Sequence, residues 1–362
     1  MSIYIHIPFC NSICSYCDFP KLYHDEKWVC DYLDSLEYEI KSNYKGEVVD
    51  TIYIGGGTPS SIKNKLDRLF DIIKIFNYKD IEFTFECNIQ DIDEDLLKKL
   101  KNNNVNRLSI GIETFNEDRL KFLNRLYKKN DIINNVRLVK KYFTNINIDL
   151  MYAIPNETLS DLESDIDEAL KLDVPHISTY SLIIEPHTAI YGKVDYIDSD
   201  LDRDMYDLII RKLSIYNHYE ISNFSKPGYE SKHNLVYWNN MHYYGFGLGA
   251  SGYIDNIRYT NTRNITDYIK HNYIKESNTL SFNEMIENAF ILGLRKISGI
   301  NKKEFQNRYH ININNIDIVK KLISENKLID DGENIKIKYD LIYTSNSILS
   351  DFLEVDYEYY VR

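Results

Sequence analysis

Short β-rich runs alternate with amphipathic stretches through the first 220 residues of the chain. The strand candidates are SIYIHI (2–7), TIYIGGG (51–57), IEFTFEC (81–87), NRLSIGI (106–112), INIDLMYAI (146–154) and HISTYSLI (176–183). Between them, apolar residues recur at helical spacing over 27–43, 62–76, 93–102, 117–141 and 158–172, the last opening with the capping-box pattern TLSD. Alternation at roughly 30 to 40 residues per unit predicts repeated βαβ units and a parallel sheet. Six such units predict an α/β fold built on a partial (β/α)6 barrel over residues 1–225.

From about residue 226 the pattern lapses. The stretch SKPGYESKHNLVYWNNMHYYGFGLGASGY has neither helical nor strand periodicity, and a loop of that length is usually functional or disordered. Its aromatic residues favour function, so 226–280 reads as a separate aromatic and Gly-rich segment. A capped helix, SFNEMIENAFILGLRK (281–296), and short strands around 328–344 follow. They predict a small α/β cap of winged-helix kind over 281–362.

In a parallel barrel the working residues sit at the C-terminal ends of the strands and in the loops beyond them. The unusual features of this chain fall there. Three cysteines follow the first strand, GGGTP the second, ECN the third, ET the fourth, and DLMYAIP closes the fifth.

Bulk properties narrow the classes. A net charge of -12 argues against a protein that neutralises nucleic-acid phosphates. No apolar run approaches the roughly 18 residues needed to span a bilayer. The N-terminus, MSIYIHIPFC, has no basic region, apolar core or cleavage site, which points to the cytoplasm. In that reducing compartment clustered cysteines are metal ligands or redox groups more often than disulfides.

Cys10, Cys14 and Cys17, spaced C-x3-C-x2-C in a loop rich in Pro, Asn, Ser and Asp, can converge on one small object. A structural zinc site wants four closed ligands, and no second Cys or His pair stands at suitable spacing. Three ligands leave a metal with an open position. An iron-sulfur cubane held by three thiolates has one iron free to bind a small molecule. The three glycines of GGGTP (Gly55, Gly56, Gly57, before Thr58 and Pro59) permit close backbone approach to a polar ligand. They lack the further residues of a P-loop or a dinucleotide-binding turn.

The runs YIHIPFC, YCDF, YIGGGTPS, NRLSIG, DLMYAIP and HISTYSL, in this order, resemble the radical S-adenosylmethionine (SAM) superfamily, in the branch of oxygen-independent coproporphyrinogen oxidase and its HemW-type relatives. The likeness runs from residue 3 to about 250, and LRKISGI (294–300) fits the C-terminal domain of that branch. It implies a 4Fe-4S cluster on Cys10, Cys14 and Cys17, with SAM chelating the fourth iron. It implies Gly56, Gly57 and Thr58 around the methionyl amino end, Tyr4 and Tyr16 beside the cluster and adenine, and Glu86, Glu113, Arg125 and Asp149 around ribose and carboxylate. Four positions depart from the pattern: Glu113 stands where relatives carry Gln, Tyr127 for His, Ile89 for Pro and Ala153 for Gly.

The oxidases of this branch carry a fourth cysteine two positions after the third; here Cys17 is followed by Asp18 and Phe19. That resembles the HemW type, understood as heme chaperones that pass heme to acceptors such as respiratory membrane proteins. The heme motif of that type, H-N-x-x-Y-W, matches HNLVYW from His233 to Trp238. The resemblance therefore implies heme contact by His233, Tyr237 and Trp238. An imidazole can ligate heme iron, and the two aromatic rings offer flat apolar faces. His242 is a weaker candidate ligand. The partners implied are heme, heme-accepting proteins and a reductant for the cluster, with a homodimer left open. The rival reading is oxygen-independent coproporphyrinogen III decarboxylation in porphyrin biosynthesis. His6 is expected to line the barrel or to pack, Cys30 and Cys87 to be packed thiols, and Glu185 and His187 to shape the last barrel loop.

Overall fold

A computed structural model describes residues 1–194 and 198–361. Its centre is a run of six parallel strands in sequential order: β1 (Ser2–Ile7), β2 (Val48–Gly56), β3 (Asn77–Asn88), β4 (Arg107–Glu113), β5 (Asn145–Tyr152) and β6 (His176–Ser181). The crossovers contain α1 (Glu26–Asn43), α2 (Leu66–Ile73), α3 (Glu94–Asn102), α4 (Glu117–Phe122), α5 (Lys129–Val139) and α6 (Leu159–Lys171); α7 (Ser199–Lys212) follows β6. The TLSD capping box forms as predicted, Thr158 and Asp161 each satisfying the other's backbone N–H.

The strands alternate strictly. Ile3, Ile5 and Ile7, Ile52 and Ile54, Phe83 and Phe85, Leu108, Ile110 and Ile112, and Ile146 and Ile148 are all buried in one apolar core. The intervening residues face the other way and are mostly polar. Tyr53, Glu86, Arg107, Ser109, Asn147, Asp149 and Ser178 line a common interior cavity. A period of two puts alternate residues on opposite faces, so the apolar set meets the helices and the polar set makes the lumen.

The sheet continues without a break past residue 225. On one side the antiparallel strands β7 (Asn217–Glu220) and β8 (Asn223–Ser225) extend it beyond β6. The segment read from sequence as an aperiodic loop is instead ordered. It forms the helix α8 (Lys232–Trp238) and then β9 (Tyr243–Phe246), which pairs in parallel with β1, so that twelve strands form one sheet. Strands β10 (Ser251–Ile254), β11 (Ile257–Asn261) and β12 (Ile274–Thr279) complete this side, with α9 (Ile265–Ile269) between the last two. The elements are too short to show a period, and Gly245 marks so close an approach that a Cβ there would lie 1.9 Å from the Ser251 carbonyl oxygen.

Two other expectations shift. The stretch 117–141 is two helices, because Asn124 adopts φ +58° and turns the chain so that the following residue, Arg125, reaches the cavity. Cys30, expected to be packed, is exposed on α1, whereas Cys87 is buried. The C-terminal part begins with α10 (Phe282–Gly293), capped by Ser281 and Glu284, and continues through α11 (Lys302–Tyr309), α12 (Asp317–Ser324) and a small antiparallel sheet including 328–330 and 334–337. Arg308 ties this part to the end of α8 by hydrogen bonds to the carbonyls of Asn239 and Asn240. Among the described residues no helix is long and apolar enough to cross a membrane.

Ala153, just past β5, sits at φ +58° and is buried. A side chain in that region is strained by roughly 1–2 kcal/mol, partly offset by the greater chain entropy of an unfolded glycine. Ala153→Gly is therefore expected to raise stability by about 0.5–1 kcal/mol, measured by urea denaturation.

Candidate functional site

At the C-terminal mouth of the barrel the cysteine loop is closed at its base by two backbone bonds, Leu22 N–H to the Pro8 carbonyl at 2.7 Å and His24 N–H to the Cys10 carbonyl at 3.0 Å. The His6 Nε2 atom is 2.7 Å from the Pro20 carbonyl oxygen and its Nδ1 is 3.0 Å from the Tyr4 hydroxyl. The loop is also tied to the chain around Arg125: Ser15 N–H donates to the Leu123 carbonyl at 3.1 Å and Asn124 Nδ2 donates to the Ile13 carbonyl at 2.7 Å.

Cys10, Cys14 and Cys17 line one cavity of about 390 Å³. Burial raises all three thiols, Cys10 to about 11. Among the described residues no three Cys, His, Asp or Glu side chains stand close enough to share one metal ion. Three thiols on one cavity suit a cluster that presents separate irons to separate thiolates. The glycine turn is shaped around the same space. Gly56 adopts φ +116°, and a Cβ on Gly57 would lie 2.8 Å from the Pro8 backbone and 3.0 Å from Cys10 Sγ. The Thr58 hydroxyl donates to Cys10 Sγ at 3.5 Å.

Deeper in the cavity Glu86 and Asp149 are held by neutral donors. Glu86 accepts from the Tyr53 hydroxyl at 2.6 Å and from Gly56 N–H at 3.0 Å; burial raises its pKa. Burial, followed by the Glu113 charge, pushes Asp149 up to about 7, and Asn147 Nδ2 donates to it at 2.8 Å. Arg125 forms a buried ion pair with Glu113 and donates to the Tyr16 hydroxyl at 2.8 Å. Glu113 itself is at φ +59°, a conformation costly for a side-chain-bearing residue and typical of functional sites. Tyr127 donates its hydroxyl to the Gly111 carbonyl at 3.0 Å.

The structure therefore brings Tyr16, Gly56, Gly57, Thr58, Glu86, Glu113, Arg125 and Asp149 onto one wall system with the three cysteines. Tyr4 is not on that wall; it stands behind it, bonded to His6. Arg107, Asn147, Tyr180 and Asn234 were not singled out from sequence but line the cavity too. For Arg107 a signal existed, since NRLSIGIE places it on the same strand face as Ser109, Gly111 and Glu113.

The heme motif reaches this cavity through Asn234. His233 is 1% exposed, its Nδ1 is 2.8 Å from Thr51 Oγ1, and its Nε2 is 2.7 Å from the Tyr237 hydroxyl. Burial pushes its pKa down to about 3, so the ring is neutral. Both nitrogens are engaged, and His233 presents neither to a metal in this conformation. At the start of α8, His233 joins that helix to β2 through Thr51. There Glu82 accepts from the backbone N–H groups of Lys232 (3.1 Å) and His233 (3.0 Å). Trp238, at the other end of α8, is half-buried.

A parallel barrel with three cysteines after its first strand and a glycine turn after its second defines a class, and residues 4–169 match the Radical SAM superfamily. Over nearly its whole length the chain is 39% identical to the heme chaperone HemW of Lactococcus lactis, covering 97% of both chains. It is 40% identical to the Bacillus subtilis heme chaperone HemW, covering 92% of this chain and 93% of that one. The chain belongs to the HemW family of radical SAM proteins. Its fold is also that of the solved coproporphyrinogen III oxidase HemN from Escherichia coli, a radical SAM enzyme, with a TM-score of 0.84 at 21% identity over 97% of this chain and 89% of that one.

Membership of the superfamily implies a 4Fe-4S cluster and SAM, and the cavity fits them. Three thiols share its mouth, the Gly57 cradle leaves no room for a Cβ, and the buried Asn88 Oδ1 and Arg125 Nε at its wall have no hydrogen-bond partner among the described residues.

Two measurements test this electrostatic picture. The Asp149 carboxyl keeps its proton in the folded chain up to about pH 7, whereas in the unfolded chain it ionises near ~4. Its contribution is complete below pH ~4 and is lost as the pH rises to 7, because only the unfolded chain releases the proton over that range. Asp149→Asn without cofactors is expected to match the parent at pH 4 and to exceed it by at least ~1 kcal/mol at pH 8, read by denaturant titration at both pH values. His233→Ala removes both side-chain bonds and leaves a cavity. It should cost about 2–4 kcal/mol by the same measurement.

Proposed function

We propose that this protein is a heme chaperone that carries a 4Fe-4S cluster, binds SAM and heme, and delivers heme to acceptor proteins. The observation that carries this reading is the near full-length similarity to proteins named heme chaperone HemW, at 39% and 40% identity, against 21% for the oxidase of the same fold. The Cys17-Asp18-Phe19 sequence supports it. Where the oxidase branch continues to a fourth cysteine, Phe19 is 65% exposed at the lip of the cavity.

In this reading Cys10, Cys14 and Cys17 hold the cluster as thiolates, and burial of the thiols makes loading favour higher pH. Once bound, the cluster supplies an electron and SAM a sulfonium that can be reductively cleaved. Glu86 and Asp149 give the lumen acidic groups suited to the ammonium and ribose hydroxyls of SAM. Arg125, already bonded to Glu113 and Tyr16, would take the SAM carboxylate with its unpartnered Nε face. A reductant protein and heme acceptors, including membrane-bound ones, are the implied partners.

The oxidase alternative makes the opposite prediction. Anaerobically reconstituted protein supplied with coproporphyrinogen III, SAM and a reductant is expected to form no protoporphyrinogen, while hemin titration gives saturable binding with a Soret band. Protoporphyrinogen formation at a catalytic rate would overturn the chaperone reading.

A further inference from the structure

Arg107 is the first residue of β4, is 2% exposed, and lines the lumen with Glu86, Asp149 and Asn234. Among the described residues the ion pair of this lumen is Arg125 with Glu113, whereas Arg107 pairs with no carboxylate and its Nε is buried without a hydrogen-bond partner. The acids of the interior are committed elsewhere: Glu86 to Tyr53 and Gly56, Asp149 to Asn147, and Glu82 to the first amides of α8. Thr84 of β3 and Asn145 of β5 stand opposite Arg107 in the register, yet Thr84 Oγ1 and Asn145 Oδ1 are themselves buried without partners. Burial, and after it the Arg107 charge, keeps His176 and His233 neutral. An unpaired buried charge is strongly destabilising, and a guanidinium cannot shed its proton to relieve it.

The position of Arg107 sets it apart from the carboxylate of SAM. The seven residues of β4, at about 3.3 Å each, separate the Cα atoms of Arg107 and Glu113 by about 20 Å. Arg125, bonded to Glu113 and to Tyr16 between two cluster cysteines, belongs to the mouth. A carboxylate chelated at the cluster is held there, so the guanidinium at the other end of β4 calls for a second anion. Its planar fork matches a carboxylate through two parallel N–H bonds. A single negative charge also suits a lumen that already holds Glu86, against which a doubly charged phosphate would be repelled more strongly.

We infer that the inner end of the lumen is an anion subsite, in which the Arg107 guanidinium takes the carboxylate of a small ligand other than SAM. The assignment rests on the cluster and SAM lying at the mouth and is independent of the heme reading.

The test is calorimetric titration of sodium acetate into cluster-loaded full-length protein against a constant sodium chloride background, with inorganic phosphate and SAM as separate arms. One saturable acetate site is expected, unchanged within twofold when SAM is already bound. Arg107→Met, of similar length and without charge, should weaken acetate binding at least tenfold. Thermal melting separates this role from a structural one. The Met variant is expected to melt no lower than the parent without acetate, and acetate should raise the melting temperature of the parent alone. A variant less stable in both buffers, with acetate without effect on either protein, would make Arg107 a structural charge and overturn the subsite. Arg107→Gln, neutral but polar, carries the comparison if the Met variant does not fold. Parent-like acetate affinity in either variant would overturn the assignment, as would displacement of acetate by SAM or tighter binding of phosphate. Absence of saturable acetate binding while SAM still binds would overturn the subsite and leave the SAM reading intact.

Discussion

The structure depends on an inverted barrel: its strands turn their apolar residues outward to the helices and their polar residues inward. A closed (β/α)8 barrel usually fills its interior with branched apolar side chains. Here Glu86, Asp149, Arg107 and the Glu113–Arg125 pair share the lumen. Charges buried this way are costly unless hydrogen-bonded. The Tyr53 hydroxyl, the Gly56 amide and the Asn147 amide supply those bonds, and burial raises the pKa of Glu86 and Asp149. Ligand binding is thereby prepared in the fold itself. Acidic groups that are poorly stabilised alone gain most from a ligand that brings its own positive charge, as a sulfonium and an ammonium do.

An interior of this kind must be closed at its far end, and α8 does so. Seven residues are too few for a helix to stand by itself in water. The first amides of α8 are satisfied by Glu82, and Ser231 caps it by accepting from Asn234 N–H at 3.3 Å. His233 then fastens the helix to Thr51 of β2, while Asn234 reaches the cavity wall. The HNLVYW stretch thus does for the barrel floor what the cysteine loop does for its mouth: it supplies the polar closure that an apolar plug could not give to a polar lumen.

Much of this was legible in the residues. The six strands and the placing of chemistry at their C-terminal ends follow from alternation and punctuation, and the cysteine spacing marked the mouth of the cavity. The polar side of the alternation was equally visible in NRLSIGIE, yet a buried Arg107 is recognisable only once neighbouring strands set its face inward. The fate of HNLVYW was not legible, because a seven-residue helix held by Glu82, some 150 positions earlier, has no local signature. A motif states which residues occur together; whether an imidazole edge is free depends on Thr51 and Tyr237 closing on it from both sides.

The mouth of the site is controlled by a single local irregularity. Asn124, at φ +58°, ends α4 and turns the chain so that Leu123 and Asn124 hold the cysteine loop through Ser15 and Ile13 while Arg125 enters the cavity. The same guanidinium bonds Tyr16, between Cys14 and Cys17, and Glu113, at the strained end of β4. Cluster loop, barrel strand and ligand pocket therefore share one side chain. A residue so connected cannot shift toward a bound carboxylate without moving Tyr16, and with it the segment between two cluster cysteines. Glu113 tightens that coupling, since it gives Arg125 a charged partner within the protein against which any ligand carboxylate must compete.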